Sequence, residues 1–160
     1  MTTAQQTRRL PFSKEQMFDL VEDVASYPQF IPWCVAARIR KREPGYQLAD
    51  LMIGFKMIRE KFTSHVRSDR QAMVIKSEAA QGPFKHLVNV WQFEDDSEAG
   101  PGHCLVKLNI DFEFSNKVLQ RVIETVFEEA QKRMVGAFEQ RAYALYGSSD
   151  SNSSSSPSEA

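Results

Sequence analysis

The sequence predicts an α+β fold in which a curved antiparallel sheet wraps around one long C-terminal helix. Apolar residues recur at three- and four-residue steps between residues 115 and 146, which is the spacing of one face of an α-helix about 30 residues and roughly 45 Å long. Upstream of this helix, strand-like segments follow one another through short turns, and short turns join antiparallel neighbours. A helix of this length needs a large apolar surface to cover it, and the sheet would supply that surface.

The long helix has a wide predicted apolar stripe. Its members are Val118, Leu119, Val122, Ile123, Val126, Phe127, Ala130, Met134, Ala137, Phe138 and Leu145. Ser115 is the predicted N-cap, because its hydroxyl can accept a hydrogen bond from a free backbone N–H of the first turn. Arg141 falls within the stripe, where it would either extend to solvent or meet an inward carboxylate such as Glu60.

The segments upstream are predicted from alternation, turn residues and capping signals. In chain order they are a strand at 5–10, a short helix after Ser13, an aromatic bend at 27–34, and strands at 35–43, 46–53, 56–68, 73–79, 86–94 and 103–114. Ser13 and Gln16 have the spacing of a capping box, and the inward face of the short helix is predicted to hold Met17, Phe18, Leu20, Val21 and Val24. Pro28 and Pro32 bias their predecessors away from helix, which makes the bend rigid.

Length and composition predict one domain at 1–146 and a disordered Ser-rich tail at 147–160. A net charge of -1 argues against a polybasic nucleic-acid binder, and no DNA partner is expected. Cys34 and Cys104 share no metal-ligand spacing with the histidines, so no metal site is predicted.

The sequence has no apolar run long enough to span a bilayer and no visible signal peptide. We therefore expect a cytoplasmic protein that can visit a membrane surface.

Period-two alternation places polar residues on the apolar face of two strands. Asn89 aligns with Leu87, Trp91 and Phe93, whereas Glu60 and Ser64 align with Ile58, Phe62 and Val66. A buried carboxylate without a partner is costly, so Glu60 needs an explanation. It is either a polar handle, with Asn89, in an apolar cavity, or a residue of the sheet rim paired with Arg59 or a helix arginine.

The aromatic residues on the inward faces have two interpretations. They fill a solid core, or they wall a tunnel between the sheet and the helix. The sequence leaves both open.

The outward faces of two strands carry cations. Arg38, Arg40 and Arg42 align on one strand, and Arg59, Lys61, His65 and Arg67 align on another. Such a face is either simply solvated or docks anionic lipid headgroups or RNA phosphates.

The sequence lacks the patterns that carry catalysis. It has no Gly-rich phosphate loop, nucleophile elbow or two-histidine metal motif, and Glu60 has no evident acidic companion. Binding is therefore favoured over catalysis, and the protein is expected not to be an enzyme.

Five motifs carry a resemblance to a known family. They are Tyr-Pro-Gln-Phe-Ile-Pro-Trp-Cys at 27–34, Arg-Glu-Lys-Phe at 59–62, Gly-Pro-Phe-Lys at 82–85 with Trp-Gln-Phe at 91–93, Asp-Phe-Glu-Phe at 111–114, and Ala-Phe-Glu-Gln-Arg-Ala at 137–142. Together they resemble the coenzyme Q-binding proteins of the START-like superfamily, a pattern shared with the bacterial ribosome-association toxin family. The resemblance covers residues 5–146.

The resemblance implies a helix-grip fold with an apolar tunnel that binds ubiquinone or a related polyisoprenoid lipid, with no cofactor beyond this bound ligand. It implies a lipid chaperone that supports respiration and ubiquinone biosynthesis, with peripheral contact to the inner membrane. Because such a lipid must be collected at a membrane surface, the Pro-bounded aromatic bend at 27–33 is the candidate for an amphipathic gate. The expected tunnel residues are Trp33, Phe55, Glu60, Phe62, Ser64, Phe84, Asn89, Trp91, Phe112, Phe127, Met134, Phe138 and Arg141.

The same resemblance implies an alternative, which is a toxin-like protein that binds the large ribosomal subunit and blocks subunit joining. A third reading, an enzyme of the aromatase and cyclase type, depends on fold analogy alone.

Overall fold

A computed structural model describes residues 2–55 and 58–147 of the chain. The elements are β1 (Thr2–Leu10), α1 (Lys14–Glu22), a 3-10 helix (Val24–Gln29), β2 (Cys34–Glu43), β3 (Tyr46–Phe55), β4 (Ile58–Asp69), β5 (Val74–Gln81), β6 (Phe84–Asp95), β7 (Cys104–Phe114) and α2 (Lys117–Tyr146). The tail predicted to be disordered lies, from residue 148 onward, outside the described residues.

The strands form a seven-stranded antiparallel sheet in the order β1-β7-β6-β5-β4-β3-β2. β2 to β7 are a meander in which each strand pairs with the next. β1, the first strand of the chain, pairs with β7 and forms the edge of the sheet opposite β2. The predicted α+β class, with a long helix against an antiparallel sheet, is therefore confirmed.

The inner face of the sheet is set by alternation. On β7, the residues Val106, Leu108, Ile110, Phe112 and Phe114 are all buried, whereas the residues between them are half-buried. This alternation directs the aromatic side chains of β7 toward α2, where Phe112 meets Phe127.

The capping box of α1 is present as predicted. Gln16 N donates to Ser13 Oγ and Ser13 N donates to Gln16 Oε1, each at 3.0 Å. The helix ends at Glu22, so Val24 belongs to the 3-10 helix, although its side chain is buried as expected. The predicted bend therefore begins inside a short helix that includes Pro28.

The start of α2 differs from the prediction. Asn116, not Ser115, is the N-cap, and its Oδ1 accepts hydrogen bonds from Val118 N at 2.8 Å and Leu119 N at 3.1 Å. The two residues are adjacent and both can cap. β7 ends at Phe114 as predicted, but α2 begins only at Lys117, so the residue that directly precedes the helix is Asn116.

The stripe of α2 is narrower than predicted and slightly rotated. Val118 and Val122 are 72% and 42% exposed, and Leu145 is also exposed, whereas Val135 and Ala142 are buried. The prediction included every apolar residue at three- and four-residue spacing, and together these residues cover more of the helix circumference than the sheet can bury.

No helix within residues 2–55 and 58–147 is long and apolar enough to cross a bilayer.

Candidate ligand cavity between the sheet and the long helix

A cavity of about 190 Å³, lobe A, lies between the sheet and the N-terminal two-thirds of α2. The sheet contributes mainly aromatic and aliphatic side chains from β3, β4, β6 and β7. Its lining is Trp33, Ile53, Phe62, Phe84, Leu87, Asn89, Ile110, Phe112, Phe114, Ile123, Phe127, Ala130, Gln131 and Met134.

A second cavity of about 130 Å³, lobe B, lies beside the aromatic bend. Its lining is Val24, Tyr27, Ile31, Trp33, Cys34, Leu51, Ile53, Phe62, Ser64, Val66, Ser77, Leu87, Asn89, Trp91, Met134 and Phe138. The two lobes share Trp33, Ile53, Phe62, Leu87, Asn89 and Met134. Since the same six side chains wall both, we treat the lobes as two parts of one interior space.

Ring contacts support the walls of lobe A. Phe84 stacks on Phe114 with 4.6 Å between ring centroids, and the edge of Phe62 meets Phe84 at 5.1 Å. On the helix side, Phe112 and Phe127 lie 4.8 Å apart. Interlocked aromatic pairs of this kind resist collapse, so they can hold an apolar space open.

Polar side chains of the sheet and of α2 also line this interior space. Asn89 on β6 lies opposite Ser77 on β5 in the strand register, and Ser64 lies on the same inner face. On the helix side, Gln131 of α2 lines lobe A. The prediction of Asn89 and Ser64 as inward-facing residues agrees with their positions.

Sequence reasoning missed Gln131, although a signal was present. It lies four residues after Phe127 and four before Val135, within the stripe that faces the sheet. Its side chain is only 6% exposed, and its Nε2 has no hydrogen-bond partner among the described residues. An amide at a stripe position should have been singled out in the way Arg141 was.

The structure brings most of the predicted tunnel residues together. Those that line one or both lobes are Trp33, Phe62, Ser64, Phe84, Asn89, Trp91, Phe112, Phe127, Met134 and Phe138. The side chain of Phe55, at the end of β3, lies outside what the structure describes. Glu60 and Arg141 line neither lobe.

Glu60 shares the face of Phe62 and Ser64, but it lies nearer the β3–β4 hairpin and is half-buried. This position fits the rim interpretation. The expected partner is missing, since no ion pair joins Glu60 to Arg59 or to a helix arginine within the described chain. Alternation determines the face of a strand on which a residue lies, but not where along the strand the cavity ends.

Arg141 is directed away from the cavity and toward the 3-10 helix. Its Nη2 donates to Gln29 Oε1 at 2.9 Å, and its guanidinium lies 5.3 Å from the centre of the Phe30 ring. The suggested pairing of Arg141 with Glu60 is therefore wrong. A cation–π contact and an amide acceptor hold the half-buried guanidinium at this position.

The aromatic bend forms one wall of lobe B. Tyr27, Ile31, Trp33 and Cys34 line it, and Tyr27 Oη donates to Val21 O at 2.5 Å. Burial raises the pKa of Tyr27, and burial also raises the pKa of the Cys34 thiol to about 11. Cys34 is therefore a neutral thiol at neutral pH and a poor nucleophile.

The outer face of the sheet has a groove of about 660 Å³ near β2 and β4, which we call the basic groove and define by Arg38, Arg40 and Lys61. β3 lies between β2 and β4, and its Asp50 is ion-paired with Arg40, with 2.8 Å between Nε and Oδ2. Thr63 bridges the same pair through hydrogen bonds. The predicted cation rows are thus separated by a strand that places one carboxylate, Asp50, between them, while Arg38 and Lys61 stay exposed.

Residues 10–139 match the family described as polyketide cyclase / dehydrase and lipid transport. The chain belongs to that family. The match covers most of the chain, including the strands and the part of α2 that wall the cavity.

Relatives in this family have two kinds of name. The ribosome association toxin RatA of Rickettsia prowazekii is 37% identical over 145 residues, which cover 89% of this chain and 97% of that protein. The mitochondrial coenzyme Q-binding protein COQ10 homolog B of Xenopus laevis is 32% identical over 143 residues, which cover 89% of this chain and 58% of that protein. Both branches of the expected resemblance are therefore present among the relatives.

Solved structures confirm the START-like fold. A START superfamily protein from Mycobacterium smegmatis has a TM-score of 0.77 at 20% identity and covers 89% of this chain and 98% of its own. An 18 kDa protein from Caulobacter crescentus has a TM-score of 0.74 at 32% identity, covering 92% of this chain and all of its own. The Zhui aromatase/cyclase from Streptomyces sp. R1128, at 16% identity with a TM-score of 0.80 over 91% of this chain and 95% of its own, shares the fold alone.

Proposed function

We propose that this protein binds ubiquinone or a related isoprenoid quinone in the space formed by lobes A and B, and carries it as a lipid chaperone for respiration and ubiquinone biosynthesis. The observation that supports this most directly is an apolar, aromatic-walled cavity with a few inward polar side chains between the sheet and α2. Small-molecule sites have this composition, with apolar walls for affinity and isolated polar groups for orientation. The lipid-transport family and the coenzyme Q-binding relative point the same way.

The size of the space limits what it can enclose. Lobe A measures about 190 Å³, whereas a cavity of roughly 150 Å³ is enough for one benzene ring. One lobe therefore suits a substituted ring, and lobe B adds room for the first part of a tail. In this proposal a long isoprenoid tail extends beyond the two lobes.

In this proposal the isoprenoid tail leaves lobe A along the surface of the first turns of α2. Val118 and Val122 are exposed on the helix next to Ile123 and Phe127, which wall lobe A. An apolar tail that leaves lobe A along this surface covers exposed apolar area, which stabilises the complex.

The two tryptophans of the chain make a direct assay available. Trp33 and Trp91 both line lobe B, so a quinone in the cavity should quench tryptophan fluorescence. Titration with a short-chain ubiquinone is expected to give saturable quenching at one equivalent. Organic extraction of protein purified from quinone-containing cells is expected to release an isoprenoid quinone.

A cavity-filling variant tests the location. Ala130→Phe places a ring in lobe A and is expected to weaken quinone binding at least tenfold, because the ligand then has no room. Ala144→Phe, at an exposed position of the same helix, is the matched control. The proposal is wrong if wild-type protein shows neither quenching nor extractable quinone, or if both variants bind quinone as wild type does.

A second candidate function is inhibition of ribosomal subunit association. It is favoured by the relative named as a ribosome association toxin, 97% of whose length is matched, and by the exposed cations of the basic groove. Sedimentation of ribosomal subunits with excess protein tests it, with Arg38→Glu and Lys61→Glu as charge-reversal variants. If subunit joining is unaffected by a stoichiometric excess of the protein, this candidate function is wrong. If the Ala130→Phe variant still inhibits subunit joining, the inhibition does not depend on lipid binding.

A further inference from the structure

Gln131 has a buried side-chain nitrogen without a hydrogen-bond partner among the residues that the structure describes. It lies in the middle of α2, its side chain is 6% exposed, and the unpartnered atom is its Nε2. An unpaired amide in an apolar setting is destabilising, and an apolar residue of similar size would remove that cost. Buried polar groups are nearly always paired in native proteins. Of the described residues with an unpartnered buried polar atom, Gln131 is the one that lines the cavity, so its amide calls for an explanation.

The lining of lobe A is apolar apart from Gln131 and Asn89. Along α2 the neighbours of Gln131 at helical spacing are Phe127 and Val135, and Ile110 and Phe112 of the sheet line the same lobe. Asn89 belongs to the sheet side of the space. The two amide-bearing side chains therefore line the same lobe, one on its helix wall and one on its sheet wall.

We propose that Gln131 binds the polar ring of the ligand, by donating a hydrogen bond from Nε2 to a ring carbonyl oxygen. This inference rests on the proposed function and assigns the ring to lobe A, against α2. A 1,4-quinone has two oxygens on opposite sides of its ring, so Asn89 on the opposite wall takes the second oxygen. An amide both donates and accepts, so the hydroxyl of a reduced quinol can instead donate to Gln131 Oε1.

This assignment gives the ligand an orientation. The polar ring is enclosed, and the isoprenoid tail leaves past the first turns of α2. It also explains why an otherwise apolar stripe keeps a glutamine. The hydrogen bond that the protein does not supply is supplied by the ligand, so the amide favours ligands with a ring oxygen over plain hydrocarbons.

The test compares wild type with Gln131→Met, which keeps the length and helix preference of the side chain and removes the amide. Short-chain ubiquinone is titrated by tryptophan quenching, and squalene, an isoprenoid without oxygen, is measured by competition. We expect Gln131→Met to weaken quinone binding about tenfold and to leave squalene binding unchanged or tighter. The carbonyl stretch of bound quinone should shift in wild type, and this shift should be reduced in the variant.

Gln140→Met, at an exposed position of α2, is the control for loss of a glutamine from this helix and should leave both ligands unaffected. The melting temperature of ligand-free Gln131→Met should be equal to or above that of wild type. The inference is overturned if quinone affinity is unchanged, if quinone and squalene affinities fall together, or if the ligand-free variant is less stable. Quinone binding by wild type with no effect of Gln131→Met overturns this inference alone, whereas no quinone binding by wild type overturns the proposed function as well.

Discussion

Arg8 of β1 is ion-paired with Glu139 of α2, with 2.6 Å between Nη1 and Oε1. The same half of the helix is fastened elsewhere, since Tyr146 Oη donates to Gln16 O at 3.1 Å and Tyr143 packs edge-on against Phe12 at 4.9 Å. These contacts join the C-terminal half of α2 to β1 and to the segment around α1. The half of α2 that walls lobe A lies outside this set of contacts.

We therefore predict that the two halves of α2 differ in local stability. Backbone amides near Ile123 should exchange with solvent at least tenfold faster than those near Phe138, because Phe138 is buried and Val118 and Val122 leave apolar surface exposed. Hydrogen exchange followed by mass spectrometry measures this difference. Quinone should reduce it, and equal protection along the helix would contradict the prediction.

The N-cap of α2 gives a second prediction. Asn116→Ala should lower the free energy of unfolding by about 1 kcal/mol, because two backbone N–H groups lose their acceptor. Ser115→Ala is the matched control and should change it by only a few tenths of that amount, since Ser115 is exposed and precedes the cap. Denaturant unfolding of both variants measures the difference. If Ser115→Ala lowered the free energy of unfolding more than Asn116→Ala, Ser115 would be the N-cap instead.

Gly82, in the turn between β5 and β6, gives a third prediction. Its φ is +117°, and a Cβ there would lie 2.5 Å from Lys61 O and 2.6 Å from Phe62 Cβ. Gly82→Ala should lower the free energy of unfolding by about 2–3 kcal/mol, through backbone strain and displacement of β4. Since Phe62 walls both lobes, quinone affinity should fall too.

Gly100→Ala separates the two causes. Gly100 has a φ of +99°, but a Cβ there would meet nothing within 4 Å. We expect a loss of about 1 kcal/mol from backbone strain alone and no change in quinone affinity. Equal losses of unfolding free energy in the two glycine variants would mean that the close approach of Gly82 to β4 does not add to the destabilisation.

The buried cysteines predict how stability depends on pH. Burial raises the pKa of Cys34 to about 11 and that of Cys104 to about 12, from an ordinary value of 9.0, because apolar surroundings disfavour the thiolate. A pKa that is higher in the folded state stabilises the fold below the unfolded value, and this contribution is lost as the pH rises toward the folded value. Stability should therefore be insensitive to these thiols below about pH 8 and should fall above pH 9.

Denaturant unfolding at a series of pH values measures this effect. The double variant Cys34→Ala, Cys104→Ala should be less stable overall, because Cys104 is fully buried, but its stability should fall less steeply between pH 9 and 10. Tyr27, whose pKa burial also raises, contributes at higher pH in both proteins. An identical slope in wild type and variant would contradict the prediction.

Glu60 supplies a negative prediction. Since Glu60 lines neither lobe, Glu60→Gln should leave quinone affinity unchanged within twofold. The comparison with Gln131→Met, measured in the same quenching titration, distinguishes a carboxylate at the rim from an amide inside the cavity. A tenfold loss in Glu60→Gln would restore the polar-handle interpretation.

Local patterns predicted most elements, and their failures have physical reasons. The capping box of Ser13 and Gln16 and the alternation of β7 involve neighbours in the chain, so they can be read without the fold. The choice between Ser115 and Asn116 depends on whether the helix begins one or two residues after the end of β7, and both residues can cap. Gln131 was missed because the stripe was drawn from apolar residues alone.

The sequence by itself determined the class of fold, the faces of the strands and the inward position of Asn89, because side-chain periodicity within an element follows from backbone geometry. Tertiary structure alone decided that a space remains between the sheet and α2. The width of that space depends on the curvature of the sheet, on the pairing of β1 with β7 across the chain and on contacts such as Arg8 with Glu139. These relations join residues far apart in sequence, so no local pattern reports them. They place Gln131 in the lining of lobe A and leave Glu60 out of the lining of both lobes.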